Sequence, residues 1–167
     1  MRIRQEEESD CAAVRAVNEA AFDTHAEANL VEALQAKRIQ LVSLVADEDG
    51  QIVGHILFSP VLLENDPGLS LMGLGPMAVM PQRQRQGIGS ALVKAGLERC
   101  KEYAYVAAVV VGHPDYYPRF GFIPATRYAL QCEYDVPADV FMVAELQAGA
   151  LMGRSGLVRY DEAFANV

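Results

Sequence analysis

The chain lacks several features that define large classes of proteins. It has no tryptophan. Its three cysteines are too few and too widely spaced for a disulfide framework or a zinc site. No apolar run approaches the length of a membrane span, and the acidic start of the chain does not resemble a signal peptide. We therefore expect a cytoplasmic protein with free thiols and no membrane partner.

Positive charge is also scarce. The sequence has 14 lysines and arginines against 22 acidic residues, for a net charge of −8. A general nucleic-acid binder needs a positive face that displaces counterions from phosphates, so this composition argues against one. The length of 167 residues and the hydrophobic fraction of 51% suit one globular domain covering residues 1–167.

The hydrophobic pattern predicts a mixed α/β chain. A short strand at Ile3–Arg4 precedes two amphipathic helices, and a long helix follows Gly87. Turn signatures lie at residues 47–50 and 65–68. The predicted strands cover residues 41–46, 52–63, 69–80, 106–111, 141–146 and 156–160, of which 106–111 reads as a fully buried central strand.

The most informative segment is residues 74–93, where a strand ends at Pro81 and Gly87 and Gly89 open a helix. Backbone N–H groups at a helix N-terminus attract phosphate oxygens, and glycine lets a ligand approach the backbone closely. A P-loop is excluded because no Gly-Lys-Ser/Thr closes the loop. The dinucleotide fingerprint is excluded because Leu92 stands where its third glycine belongs. The segment predicts binding of another pyrophosphate-bearing cofactor.

A second segment, residues 112–122, follows the predicted central strand and reads Gly-His-Pro-Asp-Tyr-Tyr-Pro-Arg-Phe-Gly-Phe. Taken alone, it has two interpretations. The aromatic side chains could fill the core, with Gly121 supplying a turn. Alternatively, Tyr117 could present its hydroxyl to a ligand.

The two segments together resemble the GNAT acyltransferase superfamily. Residues 84–89 match its Gln/Arg-x-x-Gly-x-Gly/Ala motif, and residues 117–122 match Tyr-x-x-x-Gly-Phe. The wider aromatic string and the upstream Leu-Gly-Pro-Met-Ala-Val resemble the YhbS-like subgroup of predicted acetyltransferases. The resemblance implies the GNAT fold, an α/β arrangement whose central mixed, mostly antiparallel sheet is splayed at the cofactor cleft and flanked by helices.

The resemblance also implies a reaction. An acetyl group would pass from acetyl-CoA to a primary amine, in a small molecule or a peptide, by direct attack in a ternary complex without a metal. Pantetheine would lie along the strand backbone of residues 77–79, and pyrophosphate in the loop that follows, where Arg83 and Arg85 are candidates for added charge. The implied cofactor-binding residues are Met77, Ala78, Val79, Gln84, Arg85, Gln86, Gly87, Ile88, Gly89 and Ser90.

The implied catalytic group is Tyr117, as the acid that protonates the departing CoA thiolate. Tyr116 is the alternative, because two prolines compress this segment relative to many family members. Many relatives carry a glutamate base on the strand where this chain has Leu74 and Gly75. His113 is then a candidate base, since an unperturbed histidine side chain suits proton transfer at neutral pH, or it caps the short helix.

The acceptor side is less defined by the sequence. Glu27, together with Asp23 and His25, lies between the first two helices and could attract an ammonium group, or these residues could serve as helix caps. A catalytically silent acyl-CoA-binding module of the same fold is the alternative function. The resemblance leaves a homodimer open.

Overall fold

The computed structural model describes residues 1–167. Strands and helices alternate, with short 3₁₀ turns between them. The helices are α1 (Cys11–Ala21), α2 (Ala26–Gln35) and α3 (Ile88–Glu102). The strands are β1 (Arg2–Gln5), β2 (Val42–Glu48), β3 (Gln51–Leu63), β4 (Asp66–Val79), β5 (Ala107–Val111), β6 (Ile123–Pro124), β7 (Leu130–Cys132), β8 (Phe141–Glu145) and β9 (Gly156–Arg159).

The backbone contacts divide the chain into two compact units whose segments interleave along the sequence. The first unit comprises residues 1–59, 75–96 and 162–167, and the second comprises residues 60–74 and 97–161. The long elements β3, β4 and α3 contribute residues to both units.

The first unit contains strands in the order β1-β2-β3-β4. β1 pairs antiparallel with β2, and β2 with β3. The apolar residues of α1 and α2 recur at helical spacing, so each helix presents one apolar stripe to the sheet. That stripe packs on inward-facing strand residues in a core made of Val14, Val17, Leu30, Val31, Leu34, Val45, Ile52, Leu57 and Ala78.

The start of α3 lies close to β3 because glycines stand at the contact. A Cβ atom on Gly54 would lie 3.0 Å from Ile88 Cγ2 and 3.1 Å from Leu92 Cδ1. On the helix side, a Cβ atom on Gly96 would overlap the ring of Phe58. Two glycines thus allow the helix of the cofactor motif to pack directly on the strand.

A chain of buried and half-buried polar side chains runs between these elements. Asn18 Nδ2 lies 3.3 Å from His55 Nδ1, and His55 Nε2 lies 2.9 Å from Ser43 Oγ. Ser43 in turn donates to Glu6 Oε1 at 3.1 Å, and Gln35 donates to both oxygens of the same carboxylate. His55 is fully buried, and burial lowers its pKa to about 4. The imidazole is therefore neutral at physiological pH.

The second unit contains strands in the order β4-β5-β8-β6. β4 runs parallel to β5, whereas β5 and β6 pair antiparallel with β8. β7 runs parallel to β9, which pairs antiparallel with the end of β3. The core consists of Val61, Leu63, Leu71, Ala107, Val109, Ala125, Leu130, Phe141, Val143, Leu151 and Val158.

The predicted fold class, a mixed and mostly antiparallel sheet with helices, is confirmed. β4 begins at Asp66, inside the predicted turn, because the hairpin closes in a tighter turn than the Pro-Gly pair suggested. Val111 is 43% exposed, so the predicted central strand is buried only up to its last residue. None of the helices combines the length and apolarity that crossing a membrane requires.

Candidate active site

Residues 77–79, the predicted contacts of pantetheine, lie at the end of β4. Ala78 points into the core of the first unit and is 2% exposed, whereas Met77 and Val79 are half-buried. The registered pairs of β4 with β5 end at Leu74↔Val110. The backbone of residues 77–79 continues beyond that ladder, and those of its polar groups that do not pair with the neighbouring β3 can pair with an extended ligand.

The loop after β4 is held in shape by its own glutamines. Gln84 Nε2 donates to the Val79 carbonyl at 3.1 Å, and Gln86 Nε2 donates to the Gln82 carbonyl at 3.3 Å. Arg85 and Gly87 adopt left-handed backbone conformations, with φ of 63° and 85°. The glutamine side chains thus bind the loop itself, and the loop turns sharply into α3.

Gly87 caps the N-terminus of α3. Its carbonyl accepts the first helical hydrogen bond, from the Ala91 N–H at 3.0 Å. The N–H groups of Ile88 and Gly89 lie in the first turn, where a helix offers no acceptor. The Ile88 side chain is 3% exposed and anchors this turn in the core. A fixed helix N-terminus with exposed glycine backbone is suited to binding phosphate oxygens.

The two arginines of the loop differ in their surroundings. Arg83 forms a two-nitrogen fork on the carboxylate of Glu48, with Nη2 2.5 Å from Oε2. Arg85 is exposed and its guanidinium makes no hydrogen bond or ion pair. The sequence suggested both as sources of charge for a phosphate. The structure shows Arg83 already paired with Glu48. Arg85 is therefore the arginine whose charge is available to a phosphate.

The tyrosine motif forms a short 3₁₀ helix over Tyr117–Phe120. The backbone carbonyl of His113 accepts the N–H groups of Tyr116 and Tyr117, and Gly121 closes the turn with φ of 93°. The left-handed position explains the glycine of Tyr-x-x-x-Gly-Phe. The His113 side chain is exposed and makes no hydrogen bond, so only its backbone caps the turn.

Tyr117 has a buried ring and an unpartnered hydroxyl. The residue is 7% exposed, with its ring stacked edge-on to Phe122 and directly over Gly112. The hydroxyl oxygen makes no hydrogen bond within the protein. It is not enclosed by the protein either, so it borders solvent. Burial, with a smaller contribution from Tyr116, raises the pKa of Tyr117 to about 12. The phenol therefore keeps its proton across the working pH range.

Tyr116 is arranged differently. Its ring lies 5.1 Å from that of Tyr117 in an edge-on contact, and the Arg119 guanidinium lies 4.6 Å from its centre. Arg119 also donates through Nε to the Tyr116 carbonyl at 2.9 Å. Tyr116 thus forms part of a structured corner that packs against Tyr117.

The predicted acceptor residues lie at the start of α2. Thr24 donates to Glu27 Oε1 at 3.4 Å and accepts from the Ala26 N–H at 3.2 Å, so Thr24 forms a turn just before His25, the N-cap residue of this helix. His25 lies 3.3 Å from Glu19 Oε1. These contacts are local and belong to the start of the helix. None of them indicates an acceptor site.

A surface cavity of about 450 Å³ lies in the second unit. It is lined by β7 and the segment after it, including Cys132, Glu133 and Tyr134. Glu133 is already bonded to the Tyr160 N–H and to Arg159. None of the motif residues lines this cavity.

The chain has no group of three or more histidine, cysteine, aspartate or glutamate residues arranged to hold a metal.

Comparison with known proteins places this architecture in a family. The pattern of the family described as "Acetyltransferase (GNAT) domain" matches residues 40–124, which include the cofactor motif and the tyrosine motif. The chain is 37% identical over 165 residues to the uncharacterized N-acetyltransferase YhbS of Escherichia coli K12, with 98% of both chains covered. The chain belongs to the GNAT acetyltransferase family.

Solved GNAT structures agree with this assignment. A crystal structure of E. coli YhbS in complex with CoA matches with a TM-score of 0.94 and 36% identity, covering 98% of this chain and 91% of that one. A GNAT acetyltransferase from Brucella melitensis in complex with acetyl-CoA matches with a TM-score of 0.81, also at 36% identity, covering 98% and 97%. The predicted family, fold and enzyme class are confirmed.

Two contacts of the GNAT motifs were not predicted. Glu48 lies 35 residues from Arg83, so no local spacing connects them. The packing of Tyr117 on Gly112 joins residues only five apart, and a glycine at the end of a buried strand was the available signal.

Proposed function

We propose that the protein transfers an acetyl group from acetyl-CoA to a primary amine. Both substrates bind to the protein at the same time, in a ternary complex. The observation that carries the proposal is the strand–loop–helix segment 77–90, with its exposed glycine backbone and fixed helix N-terminus. The CoA and acetyl-CoA complexes of relatives that are 36% identical support this cofactor. The catalytically silent alternative is not favoured.

In the proposed complex, the loop binds pyrophosphate through backbone donors. Residues 84–90 supply N–H groups, and Arg85 adds a charge-assisted contact because its guanidinium is unpaired. The backbone of Met77, Ala78 and Val79 pairs with pantetheine in the manner of a strand. One N–H there hydrogen-bonds to the thioester carbonyl and stabilises the oxyanion that develops on attack.

The chemistry needs alignment more than covalent catalysis, because a thioester is already activated. The neutral amine attacks the carbonyl carbon, a C–N bond forms, and the C–S bond breaks. The nitrogen loses a proton to a base, and CoA leaves as a thiolate that gains one. His113 remains a predicted base, and Glu27 a predicted acceptor contact.

Tyr117 is the proposed proton donor to the thiolate. Its ring is fixed by packing, its hydroxyl has no protein partner, and its raised pKa keeps the donor form present. A positioned phenol stabilises the thiolate by a hydrogen bond and can deliver its proton as CoA leaves. These features favour Tyr117 over Tyr116, whose ring packs between Tyr117 and Arg119.

Residues 1–167 act as one catalytic domain, since both compact units are assembled from interleaved segments. The acceptor is an amine of a small molecule or peptide. Three free cysteines support a reducing, cytoplasmic compartment. A homodimer stays a prediction that analytical sedimentation would test.

Kinetics with an amine panel test the proposal, with CoA release followed by a thiol reagent. Tyr117→Phe is expected to lower kcat by about a hundredfold. Acetyl-CoA affinity should be retained. Tyr116→Phe is the matched control and should stay within about twofold. Binding of acetyl-CoA without CoA release for any amine would support the silent module instead. An equal effect of both substitutions would remove the assignment of Tyr117.

A further inference from the structure

A single arginine links the cofactor loop to the β2–β3 hairpin. The terminal nitrogens of Arg83 contact the two carboxylate oxygens of Glu48, at the end of β2. Its third nitrogen, Nε, donates to Gln86 Oε1 at 3.1 Å. Each nitrogen of the guanidinium therefore contacts an oxygen of the protein itself.

Gln86 extends this link to the start of the helix. Its Nε2 donates to the Gln82 carbonyl at 3.3 Å, so its amide group bridges Arg83 and the loop backbone. Gln86 directly precedes Gly87, whose carbonyl accepts the first hydrogen bond of α3. A continuous set of contacts thus runs from the hairpin to the helix N-terminus.

We propose that Glu48 and Arg83 are positioning residues for acetyl-CoA: they brace the loop so that the backbone N–H groups of residues 87–89 stay in their phosphate-binding arrangement. The inference rests on the proposed function for its assignment of this loop to the cofactor. Donors that are arranged before binding lower the conformational cost of taking up a ligand.

The pair has the features of a surface ion pair that contributes measurably. A two-nitrogen fork on both carboxylate oxygens is the strongest form of this contact. The side chains are 30% and 35% exposed, so water screens the pair only in part. The Arg83 guanidinium holds the pKa of Glu48 below its usual range, and the carboxylate is ionised at neutral pH.

A direct contact between Arg83 and phosphate would give the opposite behaviour. Glu48 would then compete with the ligand for the guanidinium. Replacing its carboxylate by an amide would free the cation and remove a negative charge beside an anion site, which should tighten binding. The brace predicts that the same substitution weakens binding. The sign of the effect therefore separates the two roles.

The experiment measures the Kd of acetyl-CoA by calorimetry for the wild type, Glu48→Gln, Arg83→Met and the double variant. Each single substitution is expected to raise Kd by about fivefold to tenfold. The double variant should be no weaker than either single one, because both remove one contact. Glu102→Gln is the matched control: it removes the same charge from the exposed Arg99–Glu102 pair on α3, and Kd should not change.

Two further measurements separate positioning from loss of stability. Thermal unfolding should show all variants folded at the titration temperature. Hydrogen exchange of a peptide covering residues 82–90 should be faster in Glu48→Gln than in the wild type. The exchanged pair Glu48→Arg with Arg83→Glu should restore Kd to within about threefold of the wild type.

Tighter or unchanged binding in Glu48→Gln would overturn the brace, as would additive losses in the double variant. If the wild type binds acetyl-CoA and Glu48→Gln binds equally well, the brace fails while the cofactor assignment stands. If the wild type does not bind acetyl-CoA, the proposed function itself fails.

Discussion

The ring of Tyr117 lies on the bare backbone of Gly112, so that a methyl group at Gly112 would overlap ring atoms Cε2 and Cδ2. Gly112 follows β5 directly, and its N–H donates to the Val140 carbonyl at 3.0 Å. The backbone there is fixed, and the ring would have to move. The position of the proposed proton donor therefore depends on the absence of a side chain at residue 112.

Gly112→Ala is accordingly expected to lower kcat by about tenfold or more while acetyl-CoA affinity changes little. The reason is displacement of the phenol from its position. Steady-state kinetics with calorimetry would check this. Gly68→Ala is the matched control, because a Cβ atom there meets nothing within 4 Å and its φ is not left-handed. Unchanged kcat in a folded Gly112→Ala protein would show that the ring position does not matter.

Gly96→Ala tests the packing of α3 on β3. Alanine favours a helix by about 1 kcal/mol over glycine, which alone would stabilise the protein. The added methyl group would overlap Phe58, which is fully buried, and overpacking costs about 1–3 kcal/mol. We expect a net loss of stability in urea unfolding. A gain in stability would mean that Phe58 moves aside freely.

The buried His55 predicts a specific loss of stability in acid. Its folded pKa of about 4 is below the unfolded value of about 6.5, so the unfolded state binds the proton more tightly. The contribution of His55 is complete above pH 6.5 and is lost as the pH falls toward 4.

Between pH 7 and pH 5 the wild type should lose about 2 kcal/mol more unfolding free energy than His55→Asn, which cannot titrate. Asparagine keeps an acceptor for the Asn18 amide. Equal pH dependence in the two proteins would contradict a neutral buried imidazole, and would point to stabilisation of its charged form by Glu6, 4.0 Å away.

Arg85 should control the salt dependence of cofactor binding. Arg85→Gly removes the unpaired charge and also suits the left-handed φ of 63°, so the loop is not strained by the substitution. Acetyl-CoA binding is expected to weaken by about threefold to tenfold, with a shallower dependence on ionic strength. Titrations at two salt concentrations would measure both. An unchanged salt dependence would exclude a contact of Arg85 with phosphate.

The sequence was sufficient for the cofactor segment because the strand, the loop and the helix are consecutive. The pair Gly87 and Gly89 located the start of α3, and Gly87 and Gly121 occupy left-handed positions that favour glycine. The short strands β6 and β7 were missed, since two and three residues carry no periodicity. Their place depends on pairing with β8 and β9, which are far away in sequence.

The candidate site was predictable only in part for the same reason. Backbone contacts follow from local motifs, whereas side-chain partners come from other elements. Arg83 and Arg85 were equal candidates for a phosphate contact, and the fold pairs Arg83 with Glu48, a residue of another strand. Likewise, His55 carries no sequence signal of burial, and it became fully enclosed through Asn18 and Ser43.

The measurement that tests the account most directly is calorimetric titration of the wild type and Gly87→Val with acetyl-CoA. We predict saturable one-site binding that the substitution abolishes, because a branched side chain would occupy the backbone approach to the pyrophosphate. Gly149→Val is the matched control: it places the same residue at a left-handed φ of 78° with open space around it, and it should bind like the wild type. No binding by the folded wild type, or equal binding by Gly87→Val, would contradict the assignment of this loop to the cofactor.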